Sequence, residues 1–195
     1  MLTMKKIGVV IPAYCESENI VDLCKEILSS YSNADIIVVD DSPDLKTIEA
    51  LENYSNPKVK IIHREFKAGR GSAVLFGLSQ LSDSDCEYFL ELDADFSHPP
   101  KQIPSMVEYA VANNIDLLIA SRYLKKSKIL NWSLSRRVFS RCSNFLAKNL
   151  LRVPVTDYTN GFRLYSKRAA SEINTTCGKL GSGFIALSEI LVNLY

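Results

Sequence analysis

Two aspartates that are one residue apart, Asp93 and Asp95, follow a short apolar segment at residues 88–92. The segment has the composition of a buried strand, and the sequence Phe-Ser-His-Pro-Pro that comes next would end it. Carboxylate oxygens at a strand end are suitable ligands for a divalent cation, and such a cation can neutralise the phosphates of a nucleotide. An isolated Asp-Ala-Asp is more often a turn before a proline-started helix, so the interpretation depends on the rest of the chain.

Three other apolar, β-branched segments end in polar residues of the same kind. They span residues 7–11, 36–39 and 59–62. The polar residues that follow them are Tyr14 and Glu16, Asp40 and Asp41, and His63 and Arg64. Nearly continuous apolar strands are typical of a parallel sheet covered on both faces, and ligands of such sheets bind outside the carboxyl ends of the strands. Four coincident strand ends therefore favour a binding site over four unrelated turns.

Helices are predicted between these strands from the spacing of apolar residues, from caps and from prolines. They are expected at residues 20–31, 45–54 and 71–81 and from Pro99 or Pro100 to Asn113, with another strand at residues 116–121. This alternation predicts an α/β fold with a mainly parallel sheet and helices on both faces, as in Rossmann-like nucleotide-binding proteins. A chain of 195 residues is long enough for one such domain with a substantial core.

The formal net charge of +1 hides a strong asymmetry along the chain. Residues 1–116 contain 10 Lys and Arg against 19 Asp and Glu, whereas residues 117–195 contain 13 against 3. No acidic residue occurs between Leu117 and Thr156. A charge run is often only a solvated helix face, but such faces usually mix both signs. A segment of one sign with interleaved aromatic residues suggests an anionic partner, such as a phosphate, a membrane surface or a nucleic acid.

The basic segment at residues 131–151 is predicted to be mostly helical. Its apolar residues form one stripe, which in most proteins would be ordinary core packing. The stripe consists of Val138, Phe139, Cys142, Phe145, Leu146 and Leu150. Because the basic positions alternate with these apolar ones and no nucleic-acid reading motif is present, nucleic acid is the least favoured of the three anionic partners.

Composition also bears on the compartment and on the chain ends. The five cysteines are odd in number and form no Cys-x-x-Cys pair, which favours reduced thiols in the cytoplasm. Pro12 interrupts the first apolar run, so that run is predicted to be a strand and not a signal peptide. No apolar stretch approaches the ~20 residues of a membrane span, so any membrane association is expected to be peripheral, at the cytoplasmic face. The last residues lack a cap or polar tail, and we expect a chain cut inside a helix.

Taken in order, the motifs resemble those of family-2 glycosyltransferases with the GT-A fold, specifically the dolichyl-phosphate-mannose synthase-like branch. The resemblance covers nearly the whole chain. It is carried by residues 10–20, 38–44, 69–73, 93–100, 121–123, 131–132, 136, 140–141 and 157–165. The combination of Asp-Ala-Asp-x-x-His-Pro-Pro with Thr-Asn-Gly-Phe-Arg is specific to this branch. The resemblance implies one GT-A domain over residues 1–195, with a nucleotide-sugar half at about 1–121 and an acceptor half at about 122–195, cut short at its C-terminus.

The resemblance also implies a role for each matching residue. The nucleoside would be held by Pro12, Tyr14, Glu16, Val38 and Asp40. The nucleotide-sugar would be lined by Asp93 and Ala94, and the metal, Mg²⁺ or Mn²⁺, would be bound by Asp95 with Asp93 and with Ser97, which stands where many relatives carry Gln. The phosphates would be bound by Arg122 on the donor and by Arg136 and Ser140 on the acceptor. Asp95, Arg122, Arg136 and Ser140 are thus the expected catalytic residues.

The function expected from this resemblance is an inverting transfer of a hexose, mannose or glucose, to a polyprenyl or dolichyl phosphate. The donor would be GDP-mannose or UDP-glucose. A related transferase with a saccharide hydroxyl as acceptor is an alternative, but it needs a general base, and the basic half offers only Asp157, Glu172 and Glu189. A non-catalytic module that binds a nucleotide-sugar or a membrane surface is a third possibility, which the intact Asp93 and Asp95 disfavour. The oligomeric state does not follow from the sequence.

Overall fold

The computed structural model describes residues 4–125, 127, 133–181, 183 and 185–195, and it describes Arg136 by its backbone only. Its centre is a six-stranded sheet with the order β3-β2-β1-β4-β6-β5. The strands are β1 (Ile7–Ala13), β2 (Ala34–Asp40), β3 (Val59–His63), β4 (Tyr88–Glu91), β5 (Leu117–Ile119) and β6 (Arg163–Ser166). Strands β1 to β4 pair in parallel, and β6 pairs antiparallel with both β4 and β5. The predicted α/β fold with a mainly parallel sheet is confirmed.

Helices cover both faces of this sheet. They are α1 (Ile20–Ser30), α2 (Lys46–Tyr54), α3 (Arg70–Gln80), α4 (Ile103–Ala112), α5 (Leu134–Leu151), α6 (Lys167–Thr176) and α7 (Ile185–Asn193). Alternate residues of a strand point to opposite faces. Val9 and Ile11 therefore lie in the core beneath α1 and α4, while Val10 lies in the second core beneath α3 and α6. Both faces of β1 are buried, which is why this strand carries no polar side chain.

Strand β6 was not anticipated from the sequence. It is only four residues long and begins with Arg163, whose side chain is fully buried. Its residues Leu164 and Tyr165 pair with Leu90 and Phe89 of β4. With only Leu164 and Tyr165 as a strand-like pair, the segment is too short to be predicted alone, and its pairing with β4 and β5 specifies it.

Helix α5 packs in the opposite sense to the one expected for an apolar stripe. Ser140 and Asn144 are its buried residues among those described, at 8% exposure each. The apolar side chains face away from the protein, with Phe139 at 76%, Phe145 at 68% and Leu150 at 78% exposure. The interpretation of the stripe as core packing is therefore wrong. The inward side of α5 instead carries Ser140 and Asn144, and Ala147 and Leu151 pack there against a small apolar cluster. Within the described ranges, no helix combines the length and the apolarity that a bilayer span requires.

Candidate functional site

A cavity of about 230 Å³ opens at the carboxyl ends of β1 and β4. Six of the residues predicted to bind nucleotide or metal line it: Pro12, Tyr14, Glu16, Asp93, Ala94 and Asp95. Six further residues complete the lining: Ala13, Asp41, Lys67, Gly69, Arg70 and Ala73. We call this space the acidic cavity. It lies where the strand ends predicted a site, and it brings residues from four separate segments of the chain together.

Asp95 is held in place by the turn that follows it. The backbone N–H of Ser97 donates to its Oδ1 at 3.0 Å. Phe96, between them, has φ 58°, which turns the chain back on itself. Burial raises the pKa of Asp95, but hydrogen bonds from Ser97 outweigh burial and lower the pKa below its usual value. Asp95 is therefore anionic at neutral pH. Ser97 itself is exposed.

Asp93 is fixed by Arg70, which contacts its carboxylate, and by His98, which contacts its backbone N–H. Arg70 donates through Nε to Asp93 Oδ1 at 2.6 Å. The Asp93 N–H donates to Nδ1 of His98 at 3.0 Å, and Nε2 of His98 lies 3.0 Å from Oδ1 of Asn160. Burial lowers the pKa of His98. The neutral ring accepts at Nδ1 and donates at Nε2, so it joins the metal motif to the loop that carries Asn160.

Val38 and Asp40 do not reach the acidic cavity surface. Both are fully buried. The carboxylate of Asp40 accepts from Ser42 Oγ at 2.5 Å and lies 2.9 Å from His63 Nδ1. Its neighbour Asp41 lines the cavity and is held by Arg64 Nε at 2.6 Å. The nucleoside-binding roles of Val38 and Asp40 stay predictions. The adjacent residue Asp41, although mostly buried, is the one that lines the acidic cavity.

A second cavity, of about 280 Å³, lies beside α5. Its lining consists of Arg122, Tyr123, Leu124, Ser127, Arg137 and Arg141. We call it the basic cavity. Arg122, which was expected to grip donor phosphate, lies in this cavity and not among the residues that line the acidic one. Its role at the donor stays a prediction.

Hydrogen bonds organise the wall of the basic cavity. Ser140 Oγ and Tyr123 Oη are 2.6 Å apart. Arg122 makes a two-point contact with Asp157 and donates through Nη2 to Thr159 Oγ1 at 2.7 Å. Asn144 of α5 donates to the same Thr159 hydroxyl at 3.2 Å. The buried polar residues of α5 therefore attach the helix to the loop at residues 157–161.

Three residues of the predicted motifs lie wholly or partly outside the residues that the structure describes. Asn131 and Trp132 lie outside the described residues, and so does the side chain of Arg136, whose backbone belongs to α5. Arg136 was expected to receive the acceptor phosphate, and that role stays a prediction. Of its described neighbours, Arg141 belongs to the predicted motif at residues 140–141, whereas Arg137 stands in the sequence only as part of the basic run.

The acids of the basic half are not placed as general bases. Asp157 is fully buried against Arg122. Glu189 is buried and accepts from the backbone N–H groups of Gly178, Lys179 and Leu180. Glu172 lies on the exposed side of α6. Among the described residues of this half, no carboxylate lines the basic cavity.

The donor set of the acidic cavity fits a divalent cation. Asp93 and Asp95 offer carboxylate oxygens, the hard ligands that Mg²⁺ and Mn²⁺ prefer. Another acidic group, formed by Asp35, Asp85 and Cys86, lies near the amino ends of β2 and β4. There Lys6 Nζ is 2.8 Å from Asp35 and 2.7 Å from Asp85, so both carboxylates already pair with a lysine.

The sequence as a whole is similar to characterised transferases. Residues 8–173 match the family described as Glycosyl transferase family 2. The chain is 35% identical over 194 residues to dolichol-phosphate mannosyltransferase of Pyrococcus furiosus, covering 96% of this chain and 52% of that protein. It is 34% identical over 169 residues to polyprenol monophosphomannose synthase of Mycolicibacterium smegmatis, covering 85% and 63%. The chain spans between about half and two thirds of the length of these relatives.

The fold is also similar to those of solved structures. One is glucosyl-3-phosphoglycerate synthase of Mycobacterium tuberculosis in complex with Mn²⁺, UDP-glucose and phosphoglyceric acid, with a TM-score of 0.68, 18% identity, and coverage of 97% of this chain and 65% of that one. Another is S. aureus TarS 1-349, with a TM-score of 0.62, 16% identity, and coverage of 97% and 55%. Such identities show the fold alone, and the expected GT-A fold is confirmed.

Proposed function

This chain belongs to glycosyl transferase family 2, and on that premise we propose that it transfers a hexose from a nucleotide-sugar to a polyprenyl phosphate. The donor would bind in the acidic cavity and the lipid phosphate in the basic cavity. The names of the relatives favour mannose as the sugar. UDP-glucose, the ligand of a structural neighbour, is the donor to test beside GDP-mannose.

One observation carries the proposal: a single loop contacts residues that line both cavities. Arg122 of the basic cavity donates to Thr159 at 2.7 Å. Arg70 of the acidic cavity donates to the carbonyl of Gly161 at 3.2 Å. The acidic and basic cavities are therefore connected through three residues of one loop, 159–161. The anionic donor would lie beside the metal, and the anionic acceptor would lie beside the arginines. Each negative charge would thus be balanced by a positive one.

The chemistry of a phosphate acceptor suits a basic cavity without a carboxylate. A phosphate monoester has a second pKa near ~6, so it is already an anionic nucleophile at neutral pH. It needs positioning and charge balance more than removal of a proton. Arg137 and Arg141 would supply both, because guanidinium groups bind phosphate oxygens in two places. At the other cavity, Asp93 and Asp95 would hold Mg²⁺ or Mn²⁺, which stabilises the departing nucleoside diphosphate.

The outward face of α5 would bring the basic cavity to the lipid. Exposed Phe139 and Phe145 lie on the same helix as Arg137, Arg141 and Lys148. An apolar face flanked by basic residues is the pattern of a helix that lies in a membrane interface, with cations near anionic headgroups. We therefore propose peripheral binding to the cytoplasmic face of a membrane, where a polyprenyl phosphate presents its headgroup.

The decisive experiment measures binding and transfer on the same preparation. Thermal-shift titrations with GDP-mannose and UDP-glucose, each with and without Mn²⁺, identify the donor, because ligands of the native state raise its melting temperature. Labelled donor is then supplied with one of three acceptors. They are vesicles that contain a polyprenyl phosphate, vesicles that contain the unphosphorylated polyprenol, and a soluble saccharide with vesicles that contain neither lipid. Transfer to the phosphate alone is expected. Transfer to the saccharide, or no donor binding, contradicts the proposal.

Two variants on one helix give the matched comparison. Arg141→Ala removes a cation from the basic cavity, whereas Lys148→Ala removes one from the same helix away from the residues that line that cavity. The first should lower transfer sharply and leave donor binding unchanged. The second should leave both nearly unchanged. Equal losses would mean that α5 contributes only its overall positive charge.

A further inference from the structure

A fully buried carboxylate, Glu91, lies two residues before Asp93 and has no part in the chemistry described above. It is the last residue of β4. Within the described part of the chain, neither of its oxygens has a hydrogen-bond partner. Its nearest charges are Arg70 Nη1, 3.9 Å from Oε2, and Arg163 Nε, 3.9 Å from Oε1. A buried charge is kept only when opposite charges balance it.

Arg70 connects this buried carboxylate to the acidic cavity. Its guanidinium faces Glu91 through Nη1, Asp93 through Nε at 2.6 Å, and the Gly161 carbonyl through Nη2 at 3.2 Å. The space is tight, because a Cβ at position 161 would lie 1.9 Å from Nη2. Arg70 is therefore held by a group on each of three sides.

Arg163, on the other side of Glu91, holds the loop. It is fully buried and donates to the carbonyls of Asn160 at 2.8 Å, Tyr158 at 2.9 Å and Leu187 at 2.9 Å. Glu91 is thus placed between the arginine that grips Asp93 and the arginine that fixes Asn160. Asn160 in turn contacts His98, which accepts from the Asp93 backbone.

We propose that Glu91 is a positioning residue that acts through Arg70 on Asp93. By facing Nη1 of Arg70 from below, it holds the guanidinium in the orientation that fixes Asp93 Oδ1 at 2.6 Å and leaves the other oxygen of Asp93, Oδ2, for a divalent cation and its nucleotide. The inference rests on the proposed function of the acidic cavity. It concerns the buried partner of the cavity and not the cation ligands themselves.

The test removes the charge of Glu91 and keeps its shape. Glu91→Gln should weaken the Mn²⁺-dependent part of UDP or GDP affinity by roughly fivefold or more, since Arg70 loses one of the charges that orient it against Asp93. Nucleotide affinity without metal should change little. Isothermal titration of each nucleotide, with and without Mn²⁺, measures both. Glu189→Gln is the control, because Glu189 is also buried but caps the loop at residues 178–180.

A merely structural Glu91 would give a different pattern. The melting temperature of Glu91→Gln would fall, as in Glu189→Gln, with the Mn²⁺-dependent affinity unchanged, and this result overturns the inference. Coupling through Arg70 gives a second check: Glu91→Gln combined with Arg70→Gln should lose no more Mn²⁺-dependent affinity than Arg70→Gln alone. Independent, additive losses also overturn it.

Two further outcomes are informative. If Glu91→Gln does not fold, Arg70→Lys tests the same connection, because lysine keeps the charge but cannot contact three groups at fixed angles. It should fold and lose Mn²⁺-dependent affinity, and normal affinity would overturn the inference. If the wild type shows no metal-dependent nucleotide binding, the proposed function fails and the inference fails with it. Metal-dependent binding that is indifferent to Glu91 overturns the inference alone.

Discussion

Arg122 and Asp157 form a two-point ion pair in which Nε lies 2.8 Å from Oδ2 and Nη2 lies 2.8 Å from Oδ1. The Arg122 backbone N–H donates to the same carboxylate at 3.1 Å. Asp157 is fully buried, so the pair fixes both the start of the loop at residues 157–161 and the direction of a guanidinium at the basic cavity. This carboxylate is committed to Arg122 and is unsuited to remove a proton from an acceptor.

Asp157→Asn should destabilise the fold by about 2 kcal/mol at neutral pH, since it removes one partner of a buried pair whose arginine is partly exposed. Urea unfolding followed by circular dichroism measures the change. Asp116→Asn is the matched control, because its partner Arg168 is 83% exposed. We expect less than about 1 kcal/mol there. Equal effects would show that the Arg122 pair contributes no more than a surface ion pair.

The same pair predicts how stability changes in acid. Burial raises the pKa of Asp157, but the hydrogen bonds and charge of Arg122 outweigh it and hold the pKa below its usual value. Its stabilisation is complete above the ordinary value of about 3.9 and is lost as pH falls through the lower folded value. Wild type should therefore lose more stability than Asp157→Asn below about pH 4. Parallel pH profiles of the two proteins would contradict this.

Asp95→Asn should weaken Mn²⁺-dependent nucleotide binding. Changing the outer partners of a metal ligand already costs about tenfold in affinity, and a direct ligand should cost at least that much. The variant keeps the shape of the side chain, so the melting temperature without ligands should stay close to wild type. Asp22→Asn, on the exposed side of α1, is the control. Unchanged affinity and metal dependence would make Asp95 a turn residue only.

Phe139→Ser should reduce binding to vesicles that contain anionic lipid, because the side chain is 76% exposed on the outward face of α5. Vesicle co-sedimentation measures the bound fraction. Stability should be unaffected, since little contact area is lost. Tyr109→Ser, which removes an aromatic side chain that is 57% exposed on α4, is the control and should bind as wild type does. A bound fraction that is the same for wild type and for both variants would contradict α5 as the membrane contact.

Cysteine accessibility offers a footprint of the same surface. Cys15 and Cys142 are exposed, whereas Cys24 is buried and burial raises the pKa of its thiol to about 12. In solution, a thiol reagent should modify Cys15 and Cys142 rapidly and Cys24 only after unfolding. Anionic vesicles should protect Cys142, on α5, and leave Cys15 reactive. Mass spectrometry of the modified peptides identifies each site, and protection of both would indicate aggregation.

The sequence predicted what depends on local pattern. Apolar strands followed by Tyr14, Asp93 and Asp95 led directly to the acidic cavity, because parallel strands place their carboxyl ends together. The exposed stripe of α5 could not be predicted, since helical periodicity shows that apolar residues share a face but not which way that face points.

The sequence also does not show which charged residues pair across distant segments of the chain. Asp40 and Asp41 are adjacent and chemically identical, yet one is buried beneath His63 while the other lines the cavity. Arg70 stood between two glycines, a visible signal at a helix start, but its contact with Asp93 depends on how α3 meets β4. Such pairings are decided by packing between distant segments.

The contact between Gly161 and Arg70 links two positions that are 91 residues apart in the chain. A methyl group at 161 would occupy the space of the guanidinium, so alanine at 161 would require the end of the Arg70 side chain to move out of its present contacts. A shorter side chain at 70 would relieve the clash and allow larger residues at 161. The two positions should therefore vary as one unit in any functional selection, with the identity of residue 70 deciding which residues are permitted at 161.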